Sequence, residues 1–208
     1  ASVRGKPELI EEEPEDAKED AIKIRTAARQ LLSVINVILD LSRLEAGEVE
    51  LKPERVAIPE ILEQVRESAA PLAAANGNSF HMVAENDLDE AELDHARLYQ
   101  CVMQLIANAA KFTSNGSIDL VASREQRGST ECVVFAVRDT GPGIAADQIE
   151  RLFEPFVQGE NAAGRRFGGA GLGLAFVRRV ARLMGGDVSC MSELGRGSTF
   201  ILWIPLRR

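Results

Sequence analysis

Three polar residues, Gln104, Asn108 and Lys111, are spaced four and three apart in a stretch of helical periodicity, so they share one helix face. An amide oxygen at Asn108 or Gln104 is a hard donor of the kind Mg²⁺ takes. An ammonium at Lys111 can pair with a phosphate as a point charge. Taken alone, this is equally a solvated polar stripe. Asp139-Thr140-Gly141-Pro142-Gly143 follows the apolar run Val133 to Val137. A carboxylate at a strand end, on a tight glycine turn, is placed to accept from an amino group such as adenine N6; the plainer reading is an Asx turn. Gly169, Gly171 and Gly173 lead into a helix, where free backbone N–H groups make an anion site. The run is neither a P-loop nor a dinucleotide fingerprint. Leu174 stands where the first needs lysine and the second its last glycine.

The elements that would position these groups alternate between helix and strand. Residues 1–16 are an acidic linker. Residues 17–47 carry a bundle stripe: Ile24, Leu31 and Ile38 recur every seven residues, with Ala27, Val34, Leu41, Ala28 and Ile35 widening it, and Gly47 ends it. The stripe predicts a homodimer through 17–47. Glu48 to Val56 alternates and reads as a strand. Ile58 to Asn76 reads as a helix with Ile61, Leu62, Val65, Ala69 and Leu72 inward. Ser79 to Ala84 reads as a strand, Glu85 to Glu90 as a polar connection, and Asp94 as the N-cap of a helix to Phe112. Strands are predicted at 117–124 and 132–138, a short helix at 146–152, a helix at 172–184 and a hairpin at 187–205. Hairpins mixed with helices predict an α+β fold, an α/β sandwich with helices on one face of a mixed sheet over residues 48–208.

Composition narrows the function classes. The net charge of −8 argues against a general attraction to nucleic acid or anionic membrane. Cys101, Cys132 and Cys190 are odd in number and share no short spacing, so free buried thiols are expected rather than a metal or disulfide framework. With no apolar run of about 18 residues and no apolar leader, a cytoplasmic chain is expected, or a cytoplasmic fragment of a longer protein attached to a membrane.

Five separated stretches resemble the N, G1, F, G2 and G3 boxes of bacterial sensor histidine kinases, in family order: NAAKFT (Asn108–Thr113), DTGPGI (Asp139–Ile144), LFEPF (Leu152–Phe156), GAGLGL (Gly169–Leu174) and GRGSTF (Gly195–Phe200). Ile35 to Gly47 resembles the end of that family's second dimerisation helix. The resemblance implies a GHKL-type catalytic domain that binds ATP and Mg²⁺, works with a response-regulator receiver domain, and transfers the γ-phosphoryl group to histidine. It implies that Asp139 reads the adenine amino group, within a pocket that includes Gly141, Gly143 and Ile144, and that Thr199 supports that end. Asn108 and Gln104 would hold Mg²⁺, and Lys111 a phosphate. Gly169, Gly171, Leu172 and Gly173 would line the phosphates. Phe153 and Phe156 would anchor a lid over 157–168, whose Arg165 and Arg166 would reach a phosphate.

Three departures stand out. Gln104 replaces the family's usual asparagine, and Ala170 a common threonine. Neither histidine precedes an acidic residue as the family's phosphoacceptor does: His81 is followed by Met82 and His95 by Ala96. The acceptor is therefore expected on a helix outside this chain, so autophosphorylation within it is not. Two other classes remain open from sequence: a non-catalytic dimeric signalling module, and another GHKL ATP-binding protein of chaperone-like or anti-sigma type.

Overall fold

The computed structural model describes residues 46–85, 88–157 and 171–206, together with part of 20–44. The chain divides into two units, Ala1–Asn36 and Val37–Arg208. In the first, the described residues, all between 20 and 35, are helical, and Ile24 (70% exposed), Leu32 and Ile35 lie open. Of the predicted stripe, Ala27, Leu31, Val34 and Leu41 lie outside the described residues, as does the linker 1–16. No described helix is long and apolar enough to cross a membrane.

The second unit holds the strands. In order they are β1 (Glu54–Ala57), α1 (Ile58–Ala74), β2 (Ser79–Ala84), β3 (Glu90–Leu93), α2 (His95–Phe112), β4 (Ser117–Arg127), β5 (Thr130–Asp139), α3 (Ala146–Ile149), α4 (Gly173–Leu183), β6 (Asp187–Glu193) and β7 (Gly197–Pro205). Five strands form one sheet in the order β2-β4-β5-β7-β6. β2 runs parallel to β4, and the other pairs are antiparallel. Strand alternation puts Ile118, Leu120 and Ala122 of β4, Val133, Phe135 and Val137 of β5, and Phe200, Leu202 and Ile204 of β7 on one face. All nine are buried, and they join the inward stripes of α1, α2 and α4 in one core. The expected mixed sheet with helices packed on one face is thus the fold found.

Three local readings change. Residues 48–53 are irregular, and the strand is the shorter β1, paired antiparallel with β3. Val49 and Leu51 do rest against the core. Their alternation reflects one-sided burial of an extended segment, in which the Lys52 N–H donates to Asp94 Oδ2 (2.9 Å). β3, sequence EAEL, falls at the end of what reads as a polar connection, yet Ala91 and Leu93 are buried. In α1, Leu72 is 37% exposed, and Ala73, in the turn after Pro71, takes the buried place.

Helix α2 is fixed at both ends. Asp94 caps its start, its Oδ1 accepting from the Arg97 N–H at 3.0 Å. At its far end the last carbonyls, which no helix can satisfy internally, take side-chain donors: Asn76 Nδ2 donates to the Ala110 carbonyl (2.8 Å) and Asn78 Nδ2 to that of Thr113 (2.9 Å). Asn78 Oδ1 also accepts from the Gly116 N–H at 3.0 Å. The described helical residues 38–40 and 42–44 precede Gly47, with φ +70°, and are tied to the same layer. Leu44 is 4% exposed within the core. Asp40 faces Gln100 (3.5 Å) and Arg97 (3.8 Å) on α2, and Arg179 on α4 donates to the Leu44 carbonyl (3.2 Å). Burial of Leu44, about 1.5–3 kcal/mol, outweighs the half-exposed ion pair, about 0–1 kcal/mol.

Asn78→Ala strands a buried carbonyl and a backbone N–H at once. It is expected to lower unfolding free energy by about 1–3 kcal/mol, read from the urea midpoint at constant m-value.

Candidate functional site

At one end of the sheet the core-facing row turns polar. Asp139 ends β5 on the same face as Val137 and Phe135, opposite Ser198 of β7, and that face looks toward the helices. Its carboxylate is therefore at the rim of the core and is 4% exposed. Burial pushes its pKa above the ordinary 3.8, against the pull of the Gly141 and Ser198 backbone N–H groups. The Gly141 N–H donates to Asp139 Oδ1 at 2.8 Å. Burial, and then the Asp139 charge, push the half-buried Cys190 thiol up to about 12.

The glycines hold the neighbouring strands close. Gly143 has φ +71°, and a Cβ there would run into the Glu193 carbonyl. Gly197 has φ +91°, and a Cβ there would run into the carbonyl of Asp139 itself. Both positions therefore require glycine. The Gly195 N–H donates to the Pro142 carbonyl at 2.8 Å, so the first glycine turn and the last hairpin close over one another. Ser192 completes the contact: its hydroxyl accepts from the Ile144 N–H (2.8 Å), donates to the Gly197 carbonyl (2.8 Å) and lies 3.0 Å from Ser198 Oγ. A depression of about 320 Å³ at this strand end is lined from β5 and the β6–β7 hairpin, with Arg138, Met191 and Thr199 of the outer face among its residues, and by no residue of α2. On the helix-facing side, Asp139 and Ser198 form one wall of the candidate site.

Helix α2 forms the other wall. Gln104, Asn108 and Lys111 are all half-buried along one face, as their spacing predicts. A Cβ at Gly141 would lie 3.1 Å from both the Phe112 carbonyl and Thr113 Oγ1, so the end of this helix meets the first glycine turn. The Thr113 hydroxyl is buried there without a hydrogen-bond partner among the described residues. The Lys111 ammonium sits 4.8 Å above the Phe112 ring centre, and burial lowers its pKa. Farther along, the Gln104 amide packs directly against Gly173, at the first residue of α4. The second glycine turn thus faces the polar side of α2.

The F-box residues flank that turn. The Phe156 N–H donates to the Gly171 carbonyl at 3.1 Å, and Phe156 itself is 69% exposed with φ +64°. Phe153 is buried, with the Arg178 guanidinium 5.3 Å from its ring centre. Leu172 is buried, and Ile144 is half-buried against the core. Arg165, Arg166 and Gly169 lie outside the described residues.

One predicted site residue falls in the wrong place. Thr199 pairs across the sheet with Arg138 and Met191 and therefore points to the face opposite Asp139. Ser198 is the residue beside the carboxylate. The deciding feature is register: only the pairing of 198 on β7 with 139 on β5, far apart in sequence, decides which of two adjacent hydroxyls faces the helices. Ser192 carries no motif signal, because its part depends on the β6–β7 hairpin.

Comparison with known proteins agrees with this arrangement. Residues 93–208 match the family described as histidine kinase-, DNA gyrase B- and HSP90-like ATPase. The chain is 33% identical over 212 residues to the autoinducer 2 sensor kinase/phosphatase LuxQ of Vibrio parahaemolyticus, covering 99% of this chain and 24% of that one. It is 36% identical over 185 residues to the signal transduction histidine-protein kinase BarA of Escherichia coli, covering 88% of this chain and 20% of that one. The chain thus spans about a quarter or less of these relatives. Among solved structures, full-length ShkA in complex with AMPPNP superposes with a TM-score of 0.77 and 36% identity, over 91% of this chain and 38% of that one. The order of the boxes, the sheet they sit on and these likenesses agree, and the chain belongs to the histidine kinase-, DNA gyrase B- and HSP90-like ATPase family.

Proposed function

We propose that this domain binds ATP with Mg²⁺ in the cleft between α2 and the two glycine turns, and presents the γ-phosphoryl group to a histidine on a helix outside the described residues. The observation that carries the reading is the buried Asp139 carboxylate, held at the rim of the core although burial opposes its charge. A buried carboxylate costs stability unless a donor meets it, and an adenine amino group is such a donor. The unpaired Thr113 hydroxyl adds to the polar demand at that end.

The other residues divide the remaining work. Lys111, already over the Phe112 ring, offers its ammonium to a phosphate oxygen. Gly171 and Gly173, where a side chain would collide with Val157 or Gln104, let the chain and the start of α4 approach phosphates closely. Asn108, with Gln104, supplies amide oxygens to the metal. No cluster of three acidic, histidine or cysteine ligands exists among the described residues, which suits a Mg²⁺ held by one or two side chains and the phosphates it accompanies. When bound, that ion neutralises charge on the transferring phosphoryl group. Gln100 and Gln104 occupy the neighbouring face and neither amide accepts a proton well, so catalysis rests on positioning and charge. Arg165 and Arg166 are assigned to the phosphates on sequence resemblance. The open apolar residues Ile24 and Ile35 support dimerisation through 17–47, and a receiver domain is the proposed phosphate acceptor that follows. The likeness to LuxQ, BarA and ShkA favours this kinase reading over a non-catalytic module.

Calorimetric titration tests it. The parent chain is expected to bind ATP saturably and more tightly with Mg²⁺. Asp139→Asn should weaken ATP binding by about tenfold or more, with or without the ion, because an amide NH₂ in place of a carboxylate oxygen repels the amino group. Asn108→Ala should instead abolish most of the Mg²⁺-dependent gain. Loss of neither would sink the assignment of both residues.

A pH series tests the carboxylate directly. Because its folded-state pKa is raised, Asp139 takes up its proton at a higher pH than an ordinary aspartate. The cost of burying its charge is full above the folded value and gone below 3.8. ATP affinity of the parent is therefore expected to fall as the pH is lowered through the folded-state value, which lies above the ordinary 3.8. The already weak affinity of Asp139→Asn should change less over the same range.

A further inference from the structure

Ser192 belongs to none of the motif boxes, yet its hydrogen bonds settle which way a neighbouring hydroxyl points. Its Oγ lies 2.8 Å from the Ile144 N–H, which can only donate. It lies 2.8 Å from the Gly197 carbonyl, which can only accept. The single proton of Ser192 is therefore committed to Gly197. The remaining contact, 3.0 Å to Ser198 Oγ, can then be made only with Ser198 as donor. Ser198, buried at 6% exposure on the helix-facing side of β7, has its proton turned toward Ser192 and keeps only lone pairs for a group beside Asp139. Its neighbour across the strand pair is Asp139, whose ionised carboxylate is also an acceptor only.

We propose that Ser192 is a positioning residue: by holding the Ser198 hydroxyl as an acceptor it leaves the Ser198–Asp139 pair with acceptors only, and so makes that pair favour a 6-amino purine over a 6-oxo purine. The inference rests on the ATP-binding reading above and assigns its base specificity. An amino group brings two N–H donors to this wall. A 6-oxo group brings lone pairs to lone pairs at this pair, and neither Ser198 nor the ionised Asp139 can turn a donor to meet it. Without Ser192, the Ser198 O–H is free to rotate and donate to a 6-oxo oxygen. Discrimination then comes from the unpaired polar group that the wrong base leaves behind.

The test is calorimetric titration of ATP and ITP into the parent chain and Ser192→Ala, with thermal melting as the check on folding. ITP differs from ATP by the 6-oxo group and its N1 proton. The parent is expected to prefer ATP, and Ser192→Ala to narrow the ATP-to-ITP affinity ratio by about tenfold, one neutral hydrogen bond's worth. Should Ser192→Ala fail to fold, Ser198→Ala reads the same ratio with the Ser192 contacts to Ile144 and Gly197 kept, and it too should narrow. A folded variant in which both nucleotides weaken equally, with the ratio unchanged, would make Ser192 a clamp and overturn the proposal. So would a parent that binds both nucleotides equally. A parent that binds neither would overturn the ATP reading itself, and the proposal with it.

Discussion

An ionisable group sits where a hydrophobic residue would otherwise continue the core. Val133, Phe135, Val137 and Asp139 form one row of β5 facing the helices, and the last of the four is a carboxylate. Much of the surrounding structure follows from keeping that charge. Backbone N–H groups from Gly141 and Ser198 partly compensate its burial. Those groups reach it because Gly143 and Gly197 let two chain reversals close over the strand end, one against the Glu193 carbonyl and the other against that of Asp139. Compensation is incomplete, since desolvation remains the larger effect. The fold thus keeps part of the cost of burying the charge, and a donor from a bound ligand can relieve it.

The opposite wall depends on helix termination. A helix of 18 residues leaves several carbonyls at its end, and those of α2 emerge beside the first glycine turn. Asn76 and Asn78, on the preceding α1–β2 connection, meet them with side-chain amides. The same Asn78 pins Gly116 at the start of β4. One buried asparagine therefore sets the height of Lys111 and Thr113 relative to the strand that neighbours Asp139. This geometric tolerance matters, because electrostatic positioning loses its effect over distances of about an ångström.

Motif residues were legible in the sequence because they are chemically unusual where they stand. Glycines in clusters, an aspartate two places beyond a run of five apolar residues and an Asn/Lys pair at helical spacing each break a background pattern. The helix spans were legible from their periodicity, and α2 from its cap. Register was not. Thr199 and Ser198 are both hydroxyls in one motif, and only the pairing of β5 with β7 puts Ser198 beside Asp139 and Thr199 on the outer face. Ser192 was invisible for the same reason. Extended chain without a ladder misled in the other direction: Val49 and Leu51 alternate like a strand because one side is buried, while the true strands β1 and β3 are four residues each and half charged. Periodicity reports which side of a segment is buried, and it is silent on what the backbone pairs with.

The attachment of residues 38–44 has a mechanical consequence. Leu44 is seated in the core, its carbonyl is held by Arg179 of α4, and Asp40 meets Gln100 and Arg97 of α2. The two helices so gripped are the ones whose Gln104 and Gly173 touch across the glycine turn. Torque on this short segment is delivered to both jaws of the cleft at once, through a lever arm of about two helical turns between Gln100 and Asn108. Twist would act as shear between the jaws, changing their alignment before their spacing.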